Sequence, residues 1–206
     1  TEAFERLVMG LRKKSQVMNE EEKKITAYHE VGHALVGKLL PNTDTVHKVS
    51  IVSRGGALGV TWFLPERDAL LTKKSKYLDE LATLYGGRAA EEIFFGKENI
   101  TTGASNDIER ATKIAREMVT RYGMFEDIGA ENFIGEIDSY SGQGTKAFIS
   151  DETTKKIDNK VKEILKNAYD TAINLITKNK KLHDKIAKDL LEKEEISQEE
   201  FEAYFA

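Results

Sequence analysis

The chain has no cysteine, only two prolines, and no window approaching the run of about 18 apolar residues that a bilayer crossing needs. The first absence excludes a disulfide framework, iron–sulfur clusters, thiolate zinc sites and cysteine nucleophiles, and it fits a reducing compartment. Any metal must then be held by histidine and carboxylate. The prolines, Pro41 and Pro65, fall between patterned segments, where they punctuate rather than kink. Charge of one sign is also scarce: 31 basic against 35 acidic residues leave a net charge of −4. With no basic stripe, nucleic acid is not an expected partner. What remains is ordinary globular composition, 206 residues with 40% hydrophobic and 32% charged, enough to bury a core without staples. The sequence opens Thr1-Glu2-Ala3-Phe4 with neither initiator Met nor signal peptide, as expected of a piece of something longer.

Helical periodicity dominates. From Glu20 to Leu40 the apolar residues Ile25, Tyr28, Val31, Ala34, Leu35 and Leu39 recur at three- and four-residue steps, with Asn19 as N-cap and Glu22 completing a capping box. The pattern changes between Val46 and Leu64 to β-branched and aromatic residues broken by Arg54-Gly55-Gly56, which predicts a small hairpin or sheet. Helical spacing returns from Leu78 to Gly96, interrupted by Gly86-Gly87, which marks either a break or close helix contact. A further helix is expected from Asn106, as cap, to Gly123. The glycine-bearing stretch from Asp127 to Ser150 has no sustained period and is the expected mobile loop. Helices follow over Asp151 to Lys178, Leu182 to Glu192, and Ser197 to Tyr204, the last opened by a Ser197/Glu200 capping box.

His29-Glu30-Val31-Gly32-His33 lies inside the first of these helices and reads H-E-x-x-H. At 100° per residue, His29 and His33 stand one turn apart on one face and can reach a single ion. With 4 His and 24 Glu in 206 residues, chance supplies roughly 0.007 such patterns. Imidazole nitrogens suit Zn²⁺, which in catalytic sites takes three protein ligands and keeps a position for water. Glu30 flanks that face and is the candidate general base, and Gly32 lets another element approach closely. A third histidine at the metzincin position is excluded, because residue 36 is Val and residue 39 is Leu. The third ligand should therefore be a carboxylate, and spacing leaves Glu91, Glu92 and Asp107 open. His47 and His183 have no such partners and read as ordinary histidines.

His29-Glu30-Val31-Gly32-His33-Ala34-Leu35, Leu64-Pro65-Glu66-Arg67-Asp68, Tyr85-Gly86-Gly87-Arg88-Ala89-Ala90-Glu91-Glu92 and the run from Thr101 to Thr112 closely resemble the peptidase domain of the FtsH family, membrane-anchored ATP-dependent zinc metalloproteases. The resemblance implies a mainly α, zincin-like peptidase domain with a small β-hairpin or sheet at about residues 46–64. It implies one Zn²⁺ per chain bound by His29, His33 and Asp107, with Glu30 catalytic. Residues 1–206 would form a single peptidase domain, in which 1–18 lead in from an ATPase portion and 151–206 form a C-terminal helical part. The resemblance further implies a homohexamer fed by the AAA ATPase domain of the same full-length chain, which degrades unfolded polypeptides and membrane proteins. No G-x-x-x-x-G-K-[ST] loop occurs, so ATP binding and membrane anchoring would belong to other portions of that chain, with this soluble module on the cytoplasmic side. One departure from the family is visible: after Tyr122-Gly123 stands Met124-Phe125, where Met-Ser is common. The readings that compete with this one are a zincin using a Glu ligand and a non-catalytic helical oligomerisation or adaptor module with a structural His pair.

Overall fold

A computed structural model describes residues 18–53, 58–65, 70–134 and 149–206. Residues 1–17 of the expected lead-in, the Arg54-Gly55-Gly56 turn, Glu66-Arg67-Asp68 and residues 135–148 of the expected loop lie outside the described residues. The protein is mainly α with one small antiparallel sheet, as the sequence predicts.

The organising element is α1, Glu20–Leu39. Its start is fixed by the reciprocal capping box: the Glu22 N–H donates to Asn19 Oδ1 at 2.8 Å, and the Asn19 N–H donates to Glu22 Oε2 at 2.9 Å. Every residue from Thr26 to Gly37 is buried, so α1 is a central helix surrounded on all sides rather than an amphipathic one at the surface. One apolar core lies to the side of α1 that carries Val36, with Leu81, Met118, Ile164 and Ile176 from the surrounding helices. A second core packs Ala27, Val31 and Ala34 against Val46, Val49, Leu190, Ile196 and Phe201.

The sheet supplies part of that second core. Strand β1 (Thr45–Ser50) pairs antiparallel with β2 (Val60–Leu64), from Thr45↔Leu64 to Ser50↔Val60, with an irregularity at His47. A third strand, β3 (Glu195–Ser197), pairs on the other side of β1 and gives the order β2-β1-β3. Sequence periodicity did not reveal β3, because three residues are too short to show alternation. It begins where the C-terminal cap of a helix, Glu194, turns the chain through a left-handed φ of 63°.

The segment after β2 forms two helices, α2 (Lys74–Leu84) and α3 (Gly86–Phe95), with the break at Tyr85 and both glycines at the start of α3. Contact explains the glycines. A Cβ on Gly86 would stand 2.5 Å from the Gly32 carbonyl oxygen, and one on Gly32 would stand 2.3 Å from that of Gly86, so α1 and α3 meet backbone to backbone.

Helix α4 (Ser105–Thr120) corrects the expected Asn106 cap. A 3₁₀ turn, Thr102–Ala104, runs directly into it, and the polar cap is displaced upstream to Thr101, whose hydroxyl accepts the Gly103 N–H at 3.1 Å. Asn106 and Asp107 consequently sit inside the first turn. The described start of the expected loop folds back on α4, with the Phe133 N–H donating to the Thr120 carbonyl at 2.8 Å. Helices α5 (Asp151–Lys178), α6 (Lys180–Lys193) and α7 (Gln198–Glu202) complete the chain, and the Ser197/Glu200 capping box is present. No helix among the described residues is long and apolar enough to cross a membrane.

Candidate metal centre

Helix α1 brings the two histidine side chains together because they are four residues apart, and the surrounding elements fix how each ring turns. The His33 Nδ1–H donates to the Thr83 carbonyl at 2.8 Å. That carbonyl belongs to the last turn of α2, just before the break at Tyr85, so the end of the helix presents the acceptor to the ring. The His29 Nδ1–H donates to Glu91 Oε1 at 2.7 Å. Glu91 is fully buried on α3, and its second oxygen accepts the Thr101 N–H at 2.7 Å. Holding both rings by Nδ1 commits each Nε2 lone pair to the other side.

There the Nε2 atoms stand 3.0 Å apart, and Asp107 Oδ2 lies 3.4 Å from each of them. Among the described residues His29, His33 and Asp107 form one cluster of metal-ligating side chains. The donor set fits a zinc ion. Tetrahedral coordination with bonds of about 2.0–2.1 Å places ligand atoms roughly 3.3 Å from one another, close to these separations, and imidazole and carboxylate are ligand types that zinc takes. The electrostatics agree with a cation site. Burial disfavours a charge on His29, yet the Asp107 and Glu91 carboxylates outweigh it and hold its pKa up to about 10 in the metal-free protein. Burial likewise opposes ionisation of Asp107, but His29 and His33 pull its carboxyl well below the usual range.

Of the sequence candidates, the structure brings Asp107 to the Nε2 side and leaves the two glutamates elsewhere. Glu91 stands behind His29 on the Nδ1 side. Glu92 faces away, hydrogen-bonded by the Tyr169 hydroxyl and 3.6 Å from Lys97. Gly87 contributes by lacking a side chain, since a Cβ there would fall 2.3 Å from His29 Nε2.

Glu30 lines the same groove, of about 1080 Å³, which runs between α1, β2 and the start of α4. Its Oε2 accepts the Thr61 hydroxyl at 2.8 Å. Spacing alone missed three contributors: Thr83, which acts through its backbone; Glu91 as an outer partner rather than a ligand; and Thr61. His47 packs edge to face on Trp62, with centroids 4.8 Å apart, and His183 is buried beside α1, both apart from this cluster.

Comparison with known proteins gives the family of the chain. The profile of peptidase family M41 matches residues 16–204. The chain is 48% identical over 202 residues to the ATP-dependent zinc metalloprotease FtsH of Rubrobacter xylanophilus, covering 96% of this chain and 31% of that protein. It is 47% identical over 200 residues to the protein of the same name from Cupriavidus metallidurans, covering 97% and 30%. FtsH 1 of a Thermoanaerobacter species is 47% identical over 208 residues, covering 99% and 34%. The chain thus spans about a third of the length of these relatives.

Proposed function

We propose, from the premise that this chain belongs to peptidase family M41, that it is the zinc metalloendopeptidase module of an ATP-dependent protease and hydrolyses peptide bonds of unfolded polypeptides. His29, His33 and Asp107 hold the metal, and Glu30 is the catalytic residue. The observation that carries this reading is the single Asp107 oxygen 3.4 Å from both Nε2 atoms, with each Nδ1 occupied from behind.

A bound Zn²⁺ supplies Lewis-acid polarisation of the scissile carbonyl and a water acidified toward a pKa of about 7. The chain's residues do the rest. The Glu91 carboxylate and the Thr83 carbonyl keep the two imidazoles in one tautomer and orientation. Glu30, whose carboxylate faces the groove, takes a proton from the attacking water and returns it to the leaving nitrogen. Because β2 is an edge of the sheet and borders the groove, a substrate main chain can add alongside it as a further strand, with Leu58 to Trp62 as the receiving edge. Binding through the backbone suits a protease that takes many sequences.

The remainder of the reading comes from the relatives' names and from the family resemblance. In it, residues 1–206 are one peptidase domain of a longer, membrane-anchored chain and lie on the cytoplasmic side. An AAA ATPase domain of that chain feeds them unfolded and membrane-protein substrates, and six copies form the working ring. Zinc analysis of the purified protein beside Asp107→Asn tests the core of the proposal. One zinc per native chain with weakened binding in the variant is expected. Full occupancy in the variant would remove Asp107 from the ligand set, and a native chain without zinc would favour a helical adaptor instead.

A further inference from the structure

We infer that the edge strand positions the general base, with the Thr61 hydroxyl and the side-chain-free Gly59 together holding the Glu30 carboxylate in place. The inference rests on the reading of Glu30 as the base. A glutamate side chain has three torsions to fix, and a carboxylate that wanders by an ångström loses much of its value as a base. The structure restrains it from two sides. Thr61 Oγ1 lies 2.8 Å from Glu30 Oε2 and 2.8 Å from the Glu30 main-chain oxygen. The hydroxyl has one proton for two acceptors. The main-chain oxygen already has the α-helical donor four residues on, and the carboxylate is charged, so the carboxylate is the stronger acceptor. With Oε2 engaged by Thr61, Oε1 is left as the working oxygen.

Gly59 faces that second oxygen. A Cβ at Gly59 would stand 2.8 Å from Glu30 Cγ, from Glu30 Oε1 and from Thr26 Cγ2. Its backbone is not in the left-handed region, so the glycine is needed for space and not for conformation. Residues 59 and 61 are two apart along an extended chain and present one face toward α1. The strand that borders the substrate groove therefore also sets the base, and docking and proton transfer share one element. Thr61 is a positioning residue because it acts only through Glu30.

The test uses the zinc-loaded protein and a fluorogenic peptide. Thr61→Val keeps the shape and removes the donor. We expect its kcat to fall by about tenfold to a hundredfold, with KM changed less than about twofold and with zinc content and unfolding temperature as in the wild type. Thr61→Ser restores most of the rate, and Gly59→Ala lowers kcat by a similar factor. In crystals of Thr61→Val the Glu30 carboxylate leaves its wild-type position. A wild-type kcat in Thr61→Val, a loss confined to KM, equal impairment of Thr61→Ser, or an unmoved Glu30 would each overturn the inference. If the wild-type protein cleaves no peptide, the reading of the site fails, and the position of Glu30 in the variant crystals still decides this point separately.

Discussion

His29 and His33 on one side of α1 and His183 on α6 at another are all buried, His183 most completely, yet their nitrogens have opposite surroundings. The rings of His29 and His33 are each held by Nδ1 and present Nε2 to Asp107. The His183 ring lies 4.6 Å from that of Phe94 and 5.7 Å from that of Tyr28, and neither nitrogen has a hydrogen-bond partner among the described residues. Burial holds His183 neutral, with its pKa pushed down to about 3, whereas neighbouring carboxylates push His29 the other way. Burial alone therefore does not mark an imidazole as functional. The marker is an acceptor behind one nitrogen and a shared anion before the other.

The most severe way to break this contrast is to remove chemistry while keeping geometry. Glu30→Gln should bind zinc as the wild type does and lose about 10² to 10⁴ in kcat; turnover within tenfold of wild type, in a zinc-loaded sample, would take Glu30 out of the mechanism. Gly87→Ala attacks the geometry instead. Its Cβ falls 2.3 Å from His29 Nε2 and displaces a donor atom. Competition with a chelator should show a loss of zinc affinity beyond the roughly 100-fold that marks the upper end for losing an outer partner. Near-native affinity would mean that α3 yields.

Glu91→Gln sharpens the comparison by moving His29 toward the condition of His183, since it removes the negative charge behind the ring and keeps a hydrogen-bond acceptor. Zinc affinity should fall about 10- to 100-fold. The protons should change as well. In the metal-free protein His29 keeps its proton up to about pH 10, so zinc loading at pH 8 must expel it. Glu91→Gln should lower that pKa, so an NMR titration of the metal-free proteins should find His29 giving up its proton at lower pH in the variant. The same midpoint in both proteins would mean that Glu91 does not govern the ring.

How much of this was legible in the sequence depended on the distance over which each feature is decided. The Asn19/Glu22 box, the extent of α5 and the one-turn spacing of His29 and His33 are local, and each can be read from a few neighbouring residues. The β1/β2 pair was legible because β-branched residues cluster there. Strand β3 was not, since its three residues owe their extended form to pairing with β1 from 145 or more positions away. The start of α4 was misread because Asn106 is a good cap by type, while the 3₁₀ turn from Thr102 fixes the helix start upstream. Within the site, Glu91, Glu92 and Asp107 were equivalent as carboxylates. Only the backbone approach of Gly32 to Gly86 places Glu91 behind His29, and only the turn into α4 points Asp107 at both rings. Thr83 had no signature at all, because a carbonyl oxygen is common to every residue.

The smallest expected effect lies at His183 and has the opposite sign from the others. A buried polar group without a partner costs about 1–3 kcal/mol, so His183→Phe, which keeps a ring against Phe94, should stabilise the protein by about 1 kcal/mol at pH 7. The pH dependence separates this from simple better packing. Above pH 6.5 His183 is neutral whether the chain is folded or not and contributes no slope. Below that the unfolded chain takes up a proton that the folded one refuses until about pH 3, so wild-type stability falls with pH, by at most about 1.4 kcal/mol per pH unit from this group. The variant lacks the contribution, and its advantage should widen between pH 7 and pH 5 in urea unfolding of the zinc-free proteins. A gap that stays constant over that interval would mean that His183 finds a partner in the folded protein, and the contrast with His29 and His33 would then lose its second half.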